Sequence, residues 1–464
     1  MVRDAAWLFL ANLVVYFPVL PFGYFFVDDF QIGRLYGASG AVNWRALEEF
    51  LTCQSTFGYF YRPVGYLSIA LDYAWWRSTA HGYFLTNLAL HGSIAVLVYA
   101  AVRELRYGRA AAIVAALTMV LHPLHVEPIW WMVGRFDLLA TAFGALAVWA
   151  YARWGNTCHP GLLVVVVGSY ALAAFAKEAA IALPLALLVV GARAGWRRPI
   201  VRDPRHLAAM TVLAAVAAGV FLARRACLDR WIGTYPGGPS PASPRTVLAG
   251  VPRLVWFLAS PSSWPADGSP IAWLAAGASL GALIYLCGSM SRWGRMLWPA
   301  LTAVCLALPV LAIVSVVRAP DDLGRVFLLP SIGLALLLAT RFQTSELTEG
   351  GRRAWVALGL VMAGWLCLTA QAELEWMRRA AHTRRVLAAI EQAVRAQPSP
   401  HIVVAGLPEY FGAGNWALPL AAARPFIEVP AGTRVTAAGS DLAREGETRV
   451  LRWEQTTRSL VRPP

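Results

Sequence analysis

Residues 161–194 open with Gly161-Leu162-Leu163-Val164-Val165-Val166-Val167, pass through Phe175-Ala176-Lys177-Glu178-Ala179, and close with Leu187-Leu188-Val189-Val190-Gly191. How this stretch divides sets the number of membrane crossings. As one straight helix, its 34 residues would run about 51 Å, well past a hydrocarbon core of about 30 Å. Lys177 and Glu178 are its only charges before Arg193, so the stretch is read as two segments, 161–176 and 178–193. One tilted helix with that pair facing a polar cavity is the alternative.

A crossing needs about 20 apolar residues. That rule picks out further segments near 5–25, 83–102, 108–122, 136–152, 207–223, 271–289, 297–317, 326–341 and 354–371, for about eleven in all. A chain of 464 residues that is 58% hydrophobic and 14% charged, with 20 tryptophans, is too apolar for a soluble globule. An all-α polytopic membrane protein is expected. The arginine clusters Arg103/Arg106/Arg109, Arg193/Arg197/Arg198/Arg202/Arg205, Arg292/Arg295 and Arg341/Arg352/Arg353 fall on one side of this arrangement. Positive loops stay cytoplasmic, which puts the N-terminus inside a cytoplasmic (inner) membrane and the C-terminus outside. Residues 246–260 must then not cross, and Pro252, Arg253, Pro261 and Pro265 favour a helix on or dipping into the outer surface. The net charge of +14 is divided among short loops rather than gathered on one face, which argues for anionic membrane lipids and against nucleic acid.

Two outer loops and a tail leave the membrane. Loop 28–82 contains an amphipathic piece, Trp44–Leu51, and the run Pro63–Trp76, whose Trp75-Trp76-Arg77 ending has the aromatic and cationic pattern of an interfacial helix. Loop 224–270 carries the turn Tyr235-Pro236-Gly237-Gly238. After the module 1–371, residues 372–464 predict a charged amphipathic helix to Gln397, stopped by Pro398 and Pro400. Strands follow at His401–Gly406 and near 433–437 and 448–453, a small α+β appendage outside the membrane. The six cysteines lack metal-binding spacing; only Cys53 and Cys227 fall in outer loops, where a disulfide is allowed.

Chemistry gathers on the outer side. Phe25-Phe26-Val27-Asp28-Asp29-Phe30 sets two carboxylates just after the first apolar segment, where ionisable groups are costly and usually mark a functional cavity. Two solvated loop aspartates are the plain alternative. Arg62, Arg135, Arg224, Arg225, Arg318, Arg325 and the single lysine, Lys177, map to this side against the general bias. A phosphate or pyrophosphate at the membrane surface would account for them, because guanidinium groups grip phosphoryl oxygens with paired hydrogen bonds. Lipid headgroups, or pairing with Asp72, Glu127, Asp137 and Glu178, would do so as well. His122-Pro123-Leu124-His125-Val126-Glu127-Pro128 holds zinc-type donors. Its prolines preclude the regular helix on which metal-binding histidines sit, so it reads as a polar cavity wall, and a divalent metal is not indicated.

Taken in order, a set of motifs carries a family resemblance: Phe26-Val27-Asp28-Asp29, Tyr61-Arg62-Pro63, Asn87 with His91, His122-Pro123-x-His125-x-Glu127, Gly134-Arg135-x-Asp137-Leu138-Leu139-Ala140, Lys177-Glu178, and Arg325-x-Phe327-x-Leu329-Pro330-Ser331. Over about residues 10–340 the chain resembles the transmembrane module of the TPR-containing protein O-mannosyltransferases and their bacterial relatives, which are similar to GT-C glycosyltransferases. The resemblance implies inverting transfer of a monosaccharide, mannose by analogy, from a polyprenyl- or dolichyl-phosphate-linked donor. The acceptor would be a hydroxyl of a protein, glycan or lipid at the outer face.

Asp28 or Asp29 would be the catalytic carboxylate. Arg62, His91, His122, His125, Glu127, Arg135, Lys177, Glu178 and Arg325 would surround the donor phosphate and substrate, joined on charge grounds by Arg224 and Arg225. Two features depart from the family pattern: Gly324 stands where a glutamate usually precedes the last arginine, and the tail is too short for a tetratricopeptide array. A transporter or flippase of lipid-linked glycans is the alternative class; it would need charges through the depth of the bundle and an inverted repeat. A non-catalytic scaffold with a partner-binding tail is the third.

Overall fold

The computed structural model describes residues 2–25, 29, 35, 41–52, 60–193, 203–228, 248, 250–252, 254–255, 258, 270–288, 294–316, 324–343, 349–396, 401–405, 434–437, 448–454 and 459–461. Its helices are α1 Val2–Tyr16, α2 Val19–Phe22, α3 Trp44–Leu51, α4 Pro63–Trp76, α5 Ala80–Glu104, α6 Arg109–Leu121, α7 Val126–Trp130, α8 Arg135–Thr157, α9 Pro160–Ala176, α10 Leu183–Arg193, α11 Pro204–Leu228, α12 Pro270–Gly288, α13 Gly294–Val316, α14 Ser331–Arg341 and α15 Glu349–Ala396.

Among the described residues, four helices are long and apolar enough to cross a membrane: Ala80–Glu104, Met132–Thr157, Pro204–Leu228 and Gly351–Ala393. A fifth crossing results if α6 and the following Pro123–Trp130, bent by 52°, count as one. Shorter apolar helices of 10–17 residues occupy other expected segments. The chain is a multipass membrane protein.

The break expected inside 161–194 is present. Pro160 starts α9, with His159 Nδ1 accepting from the Gly161 amide at 3.2 Å. Lys177 is extended, and Glu178–Ala182 form a 3-10 turn into α10. Small side chains let the helices close up, as small residues do between membrane helices. Ala111, Ala112, Ala115 and Ala116 of α6 are fully buried, and a Cβ added at Gly333 of α14 would lie 2.4 Å from the Ala303 Cβ on α13. Leu254 and Leu258, both helical, are buried in this main core.

The division expected at 371 falls inside a continuous helix. α15 runs for 48 residues, about 72 Å, because no glycine or proline lies between Gly364 and Pro398. Its apolar half packs on α12. Its charged half sends Val386, Leu387 and Ile390 into a second core with Phe25, Leu35, Leu47, Phe50 and Tyr73, so it is packed onto the loop helices of the main module. Beyond it, β1 His401–Ala405, β2 Arg434–Ala437, β3 Thr448–Glu454 and β4 Ser459–Val461 form a sheet in the order β2-β1-β3-β4. It is parallel except between β3 and β4. Cys227, near the end of α11, is disulfide-bonded; Cys53, the partner that the sequence allows for it, lies outside the described residues. Cys158, Cys287, Cys305 and Cys367 are free.

Candidate active site

Three interruptions of the bundle present its charged side chains. Pro123 holds His122 out of the helical region (φ −67°, ψ 119°), and the chain turns through Pro123–His125 into α7, which carries Glu127. The second is the extended Lys177 with Glu178. The third is the 3-10 turn Gly324–Phe327 before α14, which carries Arg325.

Glu127 joins the first interruption to the third. Its Oε1 accepts from Arg325 Nη1 at 2.5 Å and its Oε2 from the Arg325 backbone amide at 2.9 Å. This geometry explains Gly324: a Cβ there would come within 2.4 Å of the Leu124 carbonyl oxygen and 2.9 Å of Glu127 Oε2. Glu127 therefore supplies the local carboxylate for Arg325 in a place that a residue-324 side chain would obstruct. Arg325 also lies over the Trp131 ring at 4.3 Å.

Glu178 takes a two-pronged contact from Arg62, at the start of α4, through Nε at 3.0 Å and Nη2 at 2.5 Å. Arg224 of α11 approaches the same carboxylate at 4.0 Å and donates to the Ala174 carbonyl at 2.9 Å. Lys177 Nζ sits 2.5 Å from both Asp137 oxygens. Arg62 and Arg325 both act electrostatically on Lys177, so these side chains share one locale. Among the described residues, four cations (Arg62, Lys177, Arg224, Arg325) and three anions (Glu127, Asp137, Glu178) pair there. The Arg62 and Arg325 side chains are 14% and 21% exposed, against 7% for Lys177 and 4% for Arg224, so of the four these two lie at the exposed rim of the cluster. Arg225 is half-buried beside Arg224.

Asp29 is fully buried. Its carboxylate accepts from the Met132 amide at 3.4 Å and the Val133 amide at 3.0 Å, at the turn that starts α8. Asp28 lies outside the described residues, as does Arg318.

The remaining candidates lie in the interior. Arg135 has no exposed surface. It donates to Asn87 Oδ1 at 2.5 Å, Ser68 Oγ at 3.0 Å, Asp72 Oδ2 at 2.6 Å and the Tyr83 carbonyl at 2.7 Å, pinning α4, α5 and α8 together. His91 Nδ1 is 2.6 Å from Asn12 Oδ1 and its Nε2 is 3.3 Å from His125 Nδ1. His125 also contacts the Met119 carbonyl at 2.7 Å and Ser331 Oγ at 3.0 Å. His122 makes a 3.4 Å contact to the Leu258 carbonyl. The histidines and Glu127 do not converge: Glu127 turns to Arg325, and no group of three or more His, Cys, Asp or Glu side chains among the described residues could hold a metal ion.

Sequence reasoning passed over several participants. Trp131 beneath Arg325, Phe60 4.2 Å from Arg62, Ser68 and Asn12 carry no charge to draw attention. For Trp131 the Trp130-Trp131 pair just before Gly134-Arg135 was the available signal.

No family model matches the chain. It is 33% identical over 131 residues to the protein O-mannosyl-transferase Tmtc1 of Drosophila melanogaster, covering 28% of this chain and 15% of that protein. To human protein O-mannosyl-transferase TMTC3 it is 30% identical over 93 residues, 20% of this chain and 10% of that one. The chain thus matches only a small part of the length of these curated relatives. Crystal structures of ArnT from Cupriavidus metallidurans superpose with TM-scores of 0.50 (bound to undecaprenyl phosphate) and 0.51 (apo), at 16% and 15% identity, over 93% of this chain and 85% of ArnT. The resemblance read from the ordered motifs holds: the chain has the GT-C fold of ArnT and is similar in sequence to the O-mannosyl-transferases.

Proposed function

We propose that this protein is an integral-membrane glycosyltransferase that moves a monosaccharide from a polyprenyl-phosphate-linked donor to an acceptor hydroxyl at the outer face of the cytoplasmic membrane. The reaction inverts the sugar carbon, and the chain crosses about eleven times. Mannose is the sugar favoured by the named sequence relatives, and the undecaprenyl phosphate in the ArnT crystal structure supports a lipid-linked donor. The observation that carries this reading is the gathering of Arg62, Lys177, Arg224 and Arg325 on the Lys177-Glu178 break and Glu127, with the Arg62 and Arg325 side chains, each held by a carboxylate, the most exposed of the four.

In this mechanism the donor phosphate is bound at the exposed side of Arg62 and Arg325. The acceptor oxygen attacks the anomeric carbon, and its proton passes to Asp28. The bond from that carbon to the phosphate oxygen breaks, and polyprenyl phosphate leaves with the bonding electrons against the cations. Asp29, held on the Met132 and Val133 amides, is the next residue in the chain and has a supporting role. The test is single-turnover transfer from a labelled polyprenyl-phosphate sugar in nanodiscs. Asp28→Asn is expected to lose about 10²- to 10⁴-fold in rate while keeping donor binding. Near wild-type rates for both Asp28→Asn and Asp29→Asn would overturn the mechanism.

A further inference from the structure

α12 and α15 pack side by side, yet a trough of about 540 Å³ stays open between them. Gly277 and Gly281 of α12 line it, and a Cβ added at either would meet nothing within 4 Å. These glycines therefore leave room rather than permit a tight helix contact, unlike Gly333. The opposite wall is apolar, with Val356 61% and Leu360 53% exposed. Arg352 and Arg353, near the start of α15 and both exposed, line the same trough.

The feature is amphipathic along its length. From Arg353 to Leu360 it follows α15 for about 10 Å, with charge at one end and hydrocarbon below. The flanking sequence 341–353 carries Arg341, Arg352 and Arg353 against Glu346 and Glu349, and such arginine-rich ends face the cytoplasm. Basic pockets between membrane helices on that side suit anionic headgroups. The trough is remote from the rim described above: Glu373 accepts from Nε1 of Trp130, at the end of the α7 helix that carries Glu127, at 3.2 Å, and Arg353 and Glu373 are separated by about 30 Å of α15. We propose that it binds an anionic phospholipid of the cytoplasmic leaflet, with the phosphate at Arg352 and Arg353 and one acyl chain along Gly277, Gly281, Val356 and Leu360.

The full chain in detergent, titrated with phosphatidylglycerol or phosphatidylcholine and read by native mass spectrometry, tests this. Two cations at an anionic headgroup correspond to about a thirtyfold preference for phosphatidylglycerol. The Arg352→Gln/Arg353→Gln double variant should lose that preference. Gly281→Leu should fill the trough and lose the tight site while its melting temperature in phosphatidylcholine holds; Gly277→Leu serves the same purpose if Gly281→Leu does not fold. Equal affinity for the two lipids, or a preference that survives in every variant, sinks the proposal. Loss in the arginine variant with full binding in both glycine variants would reduce it to surface attraction and remove the trough. Stronger retention of undecaprenyl phosphate than of phosphatidylglycerol would assign the site to the donor lipid instead.

Discussion

Arg135 and Arg325 are each paired with a carboxylate at nearly the same distance, 2.6 Å to Asp72 and 2.5 Å to Glu127, but they belong to different kinds of region. Around Arg135 the fold is closed: amide, hydroxyl, carboxylate and carbonyl oxygens from α4 and α5 surround a guanidinium with no exposed surface. Around Arg325 it is open, with a carboxylate on one edge, an indole face beneath and a fifth of the side chain exposed. A cation with no exposed surface holds helices together, whereas one with part of its side chain exposed can be reached by an anion. Charge does not separate the two cases; exposure does.

The contrast is sharpest in stability. Arg135→Ala strands Asp72 in the interior, and breaking a buried pair from one side costs about 3–5 kcal/mol. The expected outcome is a sharply lower melting temperature or no monodisperse protein; a stable variant with lost donor affinity would place Arg135 with the rim after all. Arg325→Gln should act chiefly on the donor. Removing a charge-assisted contact to phosphate costs about 1.5–3 kcal/mol, hence tenfold or more in donor affinity, measured by titration with the lipid donor; Glu127 is as buried as Asp72, so the melting temperature falls as well, but less than for Arg135→Ala because Glu127 keeps the residue-325 amide. Unchanged affinity with a depressed melting temperature would erase the distinction between the regions.

Gly324→Ala probes the junction between them. The added methyl meets the Leu124 carbonyl at 2.4 Å, and overpacking of this sort costs about 1–3 kcal/mol. Donor affinity should fall along with stability as Arg325 is displaced; a variant indistinguishable from wild type would show that the turn adapts freely. The smallest effect belongs to His122→Phe. Among the described residues His122 Nδ1 has no hydrogen-bond partner, Nε2 makes one long contact, and the ring stands edge-on to Trp365, an arrangement phenylalanine can keep. A stability change of about 1 kcal/mol or less is expected, with transfer retained. Loss of transfer at unchanged stability would move the histidine wall into the chemistry.

The sequence by itself determined several helix starts and breaks, because those decisions are local. Apolar length, Pro63 and Pro160 at helix starts, the Lys177-Glu178 interruption and the helices Trp44–Leu51 and Pro63–Trp76 were legible, and the ordered motifs pointed to the GT-C fold. The absence of breakers after Gly364 was legible too, although the change in composition near 371 suggested a boundary that helix continuity does not respect. What only the tertiary structure decided is which carboxylate meets which cation. Arg62 and Glu178 are 116 residues apart, and Glu127 and Arg325 are 198 apart. Any of the four candidate acids suited any of the cations by charge alone. Coulomb attraction is nearly blind to identity at equal distance, so the pairing, and with it which guanidinium stays partly exposed, was settled by the packing of helices whose contacts no local pattern encodes.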